Sequence, residues 1–238
     1  MQHRRMIVAG GLSFVVGAVA FVLVFSYLAA KFDYPNILDG SAAEVLPRLS
    51  AGGSTMRGVW AIYAFLPLLL VPGAVGAYLA CPSSRGRMTV ALVVASIGAL
   101  AMCLGLMRWP SIHWALASTY AQSGAEAKSI LGAVFTGLNL YLGNYIGEFL
   151  GEACLAAFFL LAGLSMLDEE RFPRWLAWCG AVFAVLPHGH GRRVEGRALF
   201  RPGCVSLRYL LVRRSAATSP RDFSGALIWH KIHAPAIL

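Results

Sequence analysis

Apolar residues in this chain fall in long unbroken runs, not in the short periodic patterns of a water-soluble domain. The first run covers residues 6–30, 25 positions without a charge, between Arg4 and Arg5 on one side and Lys31 on the other. About 20 apolar residues suffice for a helix to cross the hydrocarbon core. The run is too long for the ~7–15-residue apolar stretch of a secretory signal, so it reads as a retained first span. A second run covers 58–80. Pro67 and Pro72 lie inside it and predict a kink, because each removes a backbone donor and crowds the preceding turn. A third run covers 88–107. Arg108 and Trp109 follow it as an expected interface anchor, and Pro110 is expected to stop the helix.

Residues 111–122 place Ile112, Trp114, Leu116 and Tyr120 among small polar residues. That stretch is too short and too polar to span, and predicts a helix lying on the membrane surface. The fourth span falls within 129–167, ~58 Å of continuous helix at 1.5 Å per residue. Its apolar part is 143–167. One tilted helix projecting beyond the lipid is the primary expectation, and a break near Gly143 is the alternative. Asp168, Glu169 and Glu170 end it and read as a solvated loop. Arg174 and Trp175 are a second expected anchor. The apolar run that starts there reaches only ~18 Å before Pro187, short of the ~30 Å core.

The expected fold is therefore all-α. It is a polytopic transmembrane helical bundle with four full spans (6–30, 58–80, 88–107 and 143–167), an incomplete fifth helix (175–187) and an external surface helix. Composition agrees. Of 238 residues, 58% are hydrophobic and only 13% charged, against ~25% charged in ordinary soluble domains. Mean hydropathy is +0.66. Disordered chains, coiled coils and small disulfide scaffolds are excluded, and a water-soluble enzyme would lack the polar residues to cover its surface. The five cysteines, Cys81, Cys103, Cys154, Cys179 and Cys204, show no CxxC pair, so neither a zinc site nor a disulfide framework is expected.

Charge adds orientation and isolates the tail. Arg4, Arg5, Arg85, Arg87, Arg171 and Arg174 fall on one side of the expected topology, in short segments. Lys31, Arg48, Arg57, Arg108 and Lys128 fall on the other side, in longer ones. The density of positive charge favours a cytoplasmic N-terminus in a plasma membrane. Residues 188–238 form a basic tail with nine Lys and Arg against two acidic residues, and they hold four of the six histidines. Its abrupt shift to Arg, Gly, Pro, Ser and His suggests translation out of the original frame. A genuine lipid-binding or nucleic-acid-binding arm is the alternative.

Three stretches carry a family resemblance. They are Phe32-Asp33-Tyr34-Pro35-Asn36-Ile37-Leu38, the segment YLGNYIGEFLGE at 141–152, and Arg171-Phe172-Pro173-Arg174-Trp175-Leu176. Together they resemble a bacterial family of polytopic membrane proteins defined by a domain of unknown function, number four-three-eight-six, over residues 6–187. Members of that family continue through one or two more helices after the Pro-Arg-Trp-Leu segment. This chain departs from that pattern at Pro187, which fits the out-of-frame reading. The family has no established activity, so the resemblance implies architecture and no chemistry.

The strongest chemical constellation is Asn144, Glu148 and Glu152, which share one face of an α-helix at four-residue spacing. Gly143, Gly147 and Gly151 form a neighbouring stripe on which another helix can pack closely. A carboxylate inside the membrane costs at least ~2.5–3.5 kcal/mol on insertion scales. One reading is a proton or cation site, because two nearby carboxylates raise each other's pKa and can share a proton. The other is that both lie near the outer interface, paired with Arg57, Arg108 or Lys128. His113 with Glu148 and Glu152 is a weaker metal candidate. Asp33 suits a local turn, and His188 with His190 would bind metal only adventitiously.

No phosphate-binding, dinucleotide-binding, zincin or nucleophile-elbow motif is present, so catalysis has no positive sequence support. The expected function is that of an integral membrane protein of unknown biochemistry, transporter-like or ligand-sensing. A structural or assembly protein is the alternative, and a membrane enzyme using external carboxylates is a further one. No cofactor is implied. The expected partners are the lipid bilayer and a second copy or another membrane protein, with no nucleic acid.

Overall fold

The computed structural model describes residues 2–185, and among these every regular element is helical. The expected tail, 188–238, lies outside the described residues, as does the end of the expected fifth helix.

Among the described residues four helices are long and apolar enough to cross a membrane. The first, α1, runs Gln2–Phe32. Along most of its length it turns Val8, Leu12, Val15, Val19 and Leu23 outward, as a lipid-facing helix must. The second span starts at Gly53, five residues before the expected boundary, as α3 (Gly53–Phe65), once α2 (Ala42–Ala51) has been placed in the preceding connection. A 3₁₀ turn, Leu66–Leu69, holds Pro67 and leads into α4 (Leu70–Ala80). Ser13 of α1 donates to the Leu69 carbonyl at 2.7 Å. A neighbouring helix thus satisfies part of the irregular backbone, which is how prolines are tolerated at membrane depth.

The third span departs from expectation. Helix α5 (Arg85–Met107) passes through a π turn at Trp109–His113 into α6 (Trp114–Gln122). With the turn before α5 this makes one 41-residue helical rod, Pro82–Gln122. Pro110 does not stop the helix. The His113 amide reaches back five residues to the Arg108 carbonyl at 2.8 Å, and this wider winding admits the proline ring without an α-helical clash. The expected surface helix is α6, continuous with the span below it.

The fourth span is also continuous, Ala125–Leu167. It comprises α7 (Ala125–Leu138), a π-helical segment Asn139–Leu150, and α8 (Gly151–Leu167). Near Gly143 the winding changes and the helix does not break. At 1.5 Å per residue an α-helix of this length measures ~64 Å, about twice the hydrocarbon core. Its far end therefore projects, and α6, α7 and α2 pack there into a cap. A capping box at Ser41 and Glu44 starts α2, with the Ser41 amide donating to Glu44 Oε2 at 2.9 Å. Asp33 turns the chain after α1 with φ of 58° and pairs with Arg48 at 3.7 Å.

Helix packing uses glycine where backbones touch. A Cβ at Gly10 of α1 would lie 2.7 Å from Gly76 Cα of α4. A Cβ at Gly105 of α5 would lie 2.5 Å from Gly147 Cα. The stripe of Gly143, Gly147 and Gly151 thus meets α5, as its spacing predicted. Helix α9 (Arg174–Val185) packs on α8 through Gly163 and Gly180.

The acidic turn after α8 is anchored, contrary to expectation. Asp168 accepts from Ser84 Oγ at 2.5 Å and from Arg87 Nη1 at 2.8 Å. Glu169 is buried and accepts from the Ser83 amide at 2.7 Å. The Ser84 hydroxyl first, and Arg87 after it, hold the Asp168 carboxyl below its ordinary value.

Candidate functional site

Arg108 is 4% exposed although it ends a 20-residue apolar run. Its Nε donates to Asn139 Oδ1 at 3.2 Å, and its Nη1 donates to the Gly105 carbonyl. Asn139 in turn donates to the Leu38 carbonyl at 3.3 Å. The guanidinium rests on Gly143, where a Cβ would lie 2.6 Å from Nη2. Only a glycine leaves that space. Glu148 is exposed one turn further along the same π-helical segment, and among the described residues it forms no ion pair within 4.0 Å. Arg108 therefore sits between two helices, at the level where both leave α-helical winding.

Beside it lies an aromatic stack. Trp109 and Trp60 are fully buried and parallel, with centroids 4.7 Å apart. Phe32 meets both edge-on at 5.7–5.8 Å. His113 is fully buried against Trp109 (4.8 Å) and Phe135 (4.6 Å). Among the described residues neither ring nitrogen of His113 has a hydrogen-bond partner, nor does Nε1 of Trp60 or of Trp109. Trp109 and Arg108, expected as interface anchors, are thus enclosed by protein. Arg174 and Trp175 are exposed at the start of α9.

Asn144, Glu148 and Glu152 stay together on the fourth span but face different surroundings. Glu148 is exposed, whereas Asn144 and Glu152 are half-buried. Tyr141 and Tyr145 are exposed on the same stretch. From Leu167, Glu148 lies 19 residues up the helix, ~28 Å at α-helical rise. That is close to the outer edge of a ~30 Å core whose inner edge is near Leu167. Arg57 and Lys128, the other expected counter-charges, engage rings instead, over Trp114 at 5.6 Å and Tyr120 at 5.3 Å. His113 does not join the two glutamates. Among the described residues no three His, Cys, Asp or Glu side chains come together as a metal site.

Sequence reasoning passed over Asn139, Trp60 and Phe32. The signal was the cluster of polar residues with large rings at similar height on three spans. It is visible only once Pro110 is read as internal to a helix.

Four membrane-length helices, joined through glycine crossings and a buried arginine, define a multi-pass helical membrane protein. A family model for a domain of unknown function, DUF4386, matches residues 9–187, and the chain belongs to that family. No curated protein and no solved structure matches the chain.

Proposed function

We propose that this integral membrane protein is a transporter-like or ligand-sensing bundle. Its polar centre is Glu148, Glu152 and Asn144, with Arg108 as counter-charge. The observation that carries this reading is the buried Arg108 between the third and fourth spans, held by Asn139 on the π-helical segment that also carries Glu148. A charge in such a place is costly and marks function more often than architecture. A cation arriving at Glu148 would change the charge on the segment that holds Arg108. The π-helical segment that carries Glu148 is the element able to respond, because its five-residue hydrogen bonds convert to α-helical ones by a small register change.

The test is flux. The full chain is reconstituted in liposomes holding a pH-reporting dye, and an inward proton gradient is imposed. Transport expects faster dissipation than in protein-free liposomes, abolished by Glu148→Gln and Glu152→Gln in variants that elute as the parent does. Dissipation no faster than in protein-free liposomes contradicts transport.

An assembly role is the second reading, and the exposure of Glu148, Tyr141 and Tyr145 on one outer stretch favours it. It expects the same two substitutions to change oligomeric state and leave the gradient untouched.

A further inference from the structure

A groove of about 390 Å³ opens between the start of α3 and the end of α5, lined by Ser54, Arg57, Gly58, Ala61, Met107, Pro110 and Ser111. We propose that it holds the phosphate headgroup of an anionic phospholipid, bound by Arg57.

Height is the first argument. Residues 88–107 of α5 cover ~30 Å, the full hydrocarbon thickness, so Met107 and Pro110 stand at its outer boundary. The groove therefore straddles the level at which lipid phosphates lie. Its lower wall is apolar, and its upper wall carries two hydroxyls and a guanidinium.

Arg57 is preset for an anion. Its Nε donates to the Pro110 carbonyl at 3.0 Å, and its guanidinium stacks over Trp114. Those two contacts fix the plane of the group and leave the terminal amino groups for a ligand. Among the described residues no carboxylate lies within 4.0 Å of Arg57. A planar fork held this way suits two phosphate oxygens. Arg57 also belongs to the first turns of α3, the positive end of that helix.

An acyl chain has a track below the groove. Phe65 continues the face of Ser54, Gly58 and Ala61 along α3, and Leu104 and Leu100 continue the face of Met107 and Ser111 along α5. All three are about half exposed, at 54%, 49% and 54%. No acidic residue lines the groove, so nothing there meets the cation of a choline headgroup. This points to a net-anionic lipid. The site lies apart from Glu148 and does not rest on the function proposed above.

The test is native mass spectrometry of the full chain in detergent with added phosphatidylglycerol. The parent is expected to retain one lipid, with phosphatidylcholine held about tenfold less well, because its choline cation is repelled by Arg57 with no carboxylate in the groove to offset it. Inorganic phosphate at equal concentration should not displace it. Arg57→Gln should weaken retention about tenfold, and Arg57→Lys should fall between that and the parent, since an ammonium keeps the charge but not the planar fork. Gly58→Trp is the second variant. A Cβ at Gly58 meets no atom of another helix within 4 Å, so the substitution occupies the groove with the helix packing left in place. It should abolish retention at an unchanged melting temperature. Equal retention by the parent and Gly58→Trp overturns the proposal, whatever Arg57→Gln does to folding. So does equal binding of phosphatidylcholine, or displacement by inorganic phosphate.

Discussion

The two ends of the bundle are held by different chemistry. At the end that includes the N-terminus of α1, the buried cluster is rich in alanine: Ala74, Ala91, Ala95, Ala99 and Ala162, with Phe158. Helices there approach backbone to backbone at Gly10 and Gly76, and at Gly163 and Gly180. At the other end the cluster is aromatic, with Phe32, Trp60, Tyr63, Trp109 and Phe135. Lipid tails are as apolar as leucine, so within the bilayer helices gain little from hiding large apolar side chains and much from close packing of small ones. Beyond the bilayer water is present, and burying large rings becomes the main driving force. The change from alanine to tryptophan along the same helices marks where the solvent changes. Arg108 sits at that change, as do both π-helical stretches.

Substitutions can break this contrast from either side. Trp109→Ala should be the most damaging, because it empties the aromatic stack. About 3–5 kcal/mol is expected for a buried ring of this size, read as a large fall in melting temperature of the purified full chain. Gly147→Leu tests the close crossing next to that stack. Its side chain has no space against Gly105, and about 1–3 kcal/mol is expected by the same melt. His113→Leu sharpens the contrast in the opposite direction. The ring has two buried nitrogens without partners, so an apolar side chain should be neutral or stabilise by about 1 kcal/mol. A marked loss of stability on His113→Leu would mean that the histidine has a role beyond packing.

The smallest effect is expected at the opposite end, at Asp168. Its carboxyl is held below the usual range by Ser84 and then Arg87. A lowered folded-state value stabilises above the unfolded value, near pH 4, and that stabilisation is lost as pH falls through the lowered value. The group is exposed, so the shift should be small. Melting curves of the parent and Asp168→Asn should differ slightly at pH 7 and converge below pH 4.

The spans were legible because membrane insertion imposes a simple code of length and apolarity, which residues 6–30 and 88–107 satisfy openly. The glycine stripe at 143, 147 and 151 was legible for a similar reason, since close approach tolerates nothing larger. What happens at Pro110 was not. A proline ends a helix by local rules, and only the packing of Trp109 on Trp60 and Phe32 shows why the chain winds through it. That single difference turned Arg108 from an expected surface anchor into a buried charge, and His113 from a surface residue into a core one. Asp168 and Glu169 were hidden for a related reason. Their partners Ser83, Ser84 and Arg87 lie over 80 residues away in sequence, and no local pattern points to them.

The proposed site requires Arg108 and Glu148 to be energetically coupled across the third and fourth spans. A double-mutant cycle with Arg108→Gln and Glu148→Gln, measured as unfolding free energy of the full chain in lipid nanodiscs, tests it directly. The expected result is that the double variant loses less than the sum of the single losses, with a coupling on the order of 1 kcal/mol. Strict additivity would contradict the claim and leave Arg108 as a packing element of the aromatic end alone.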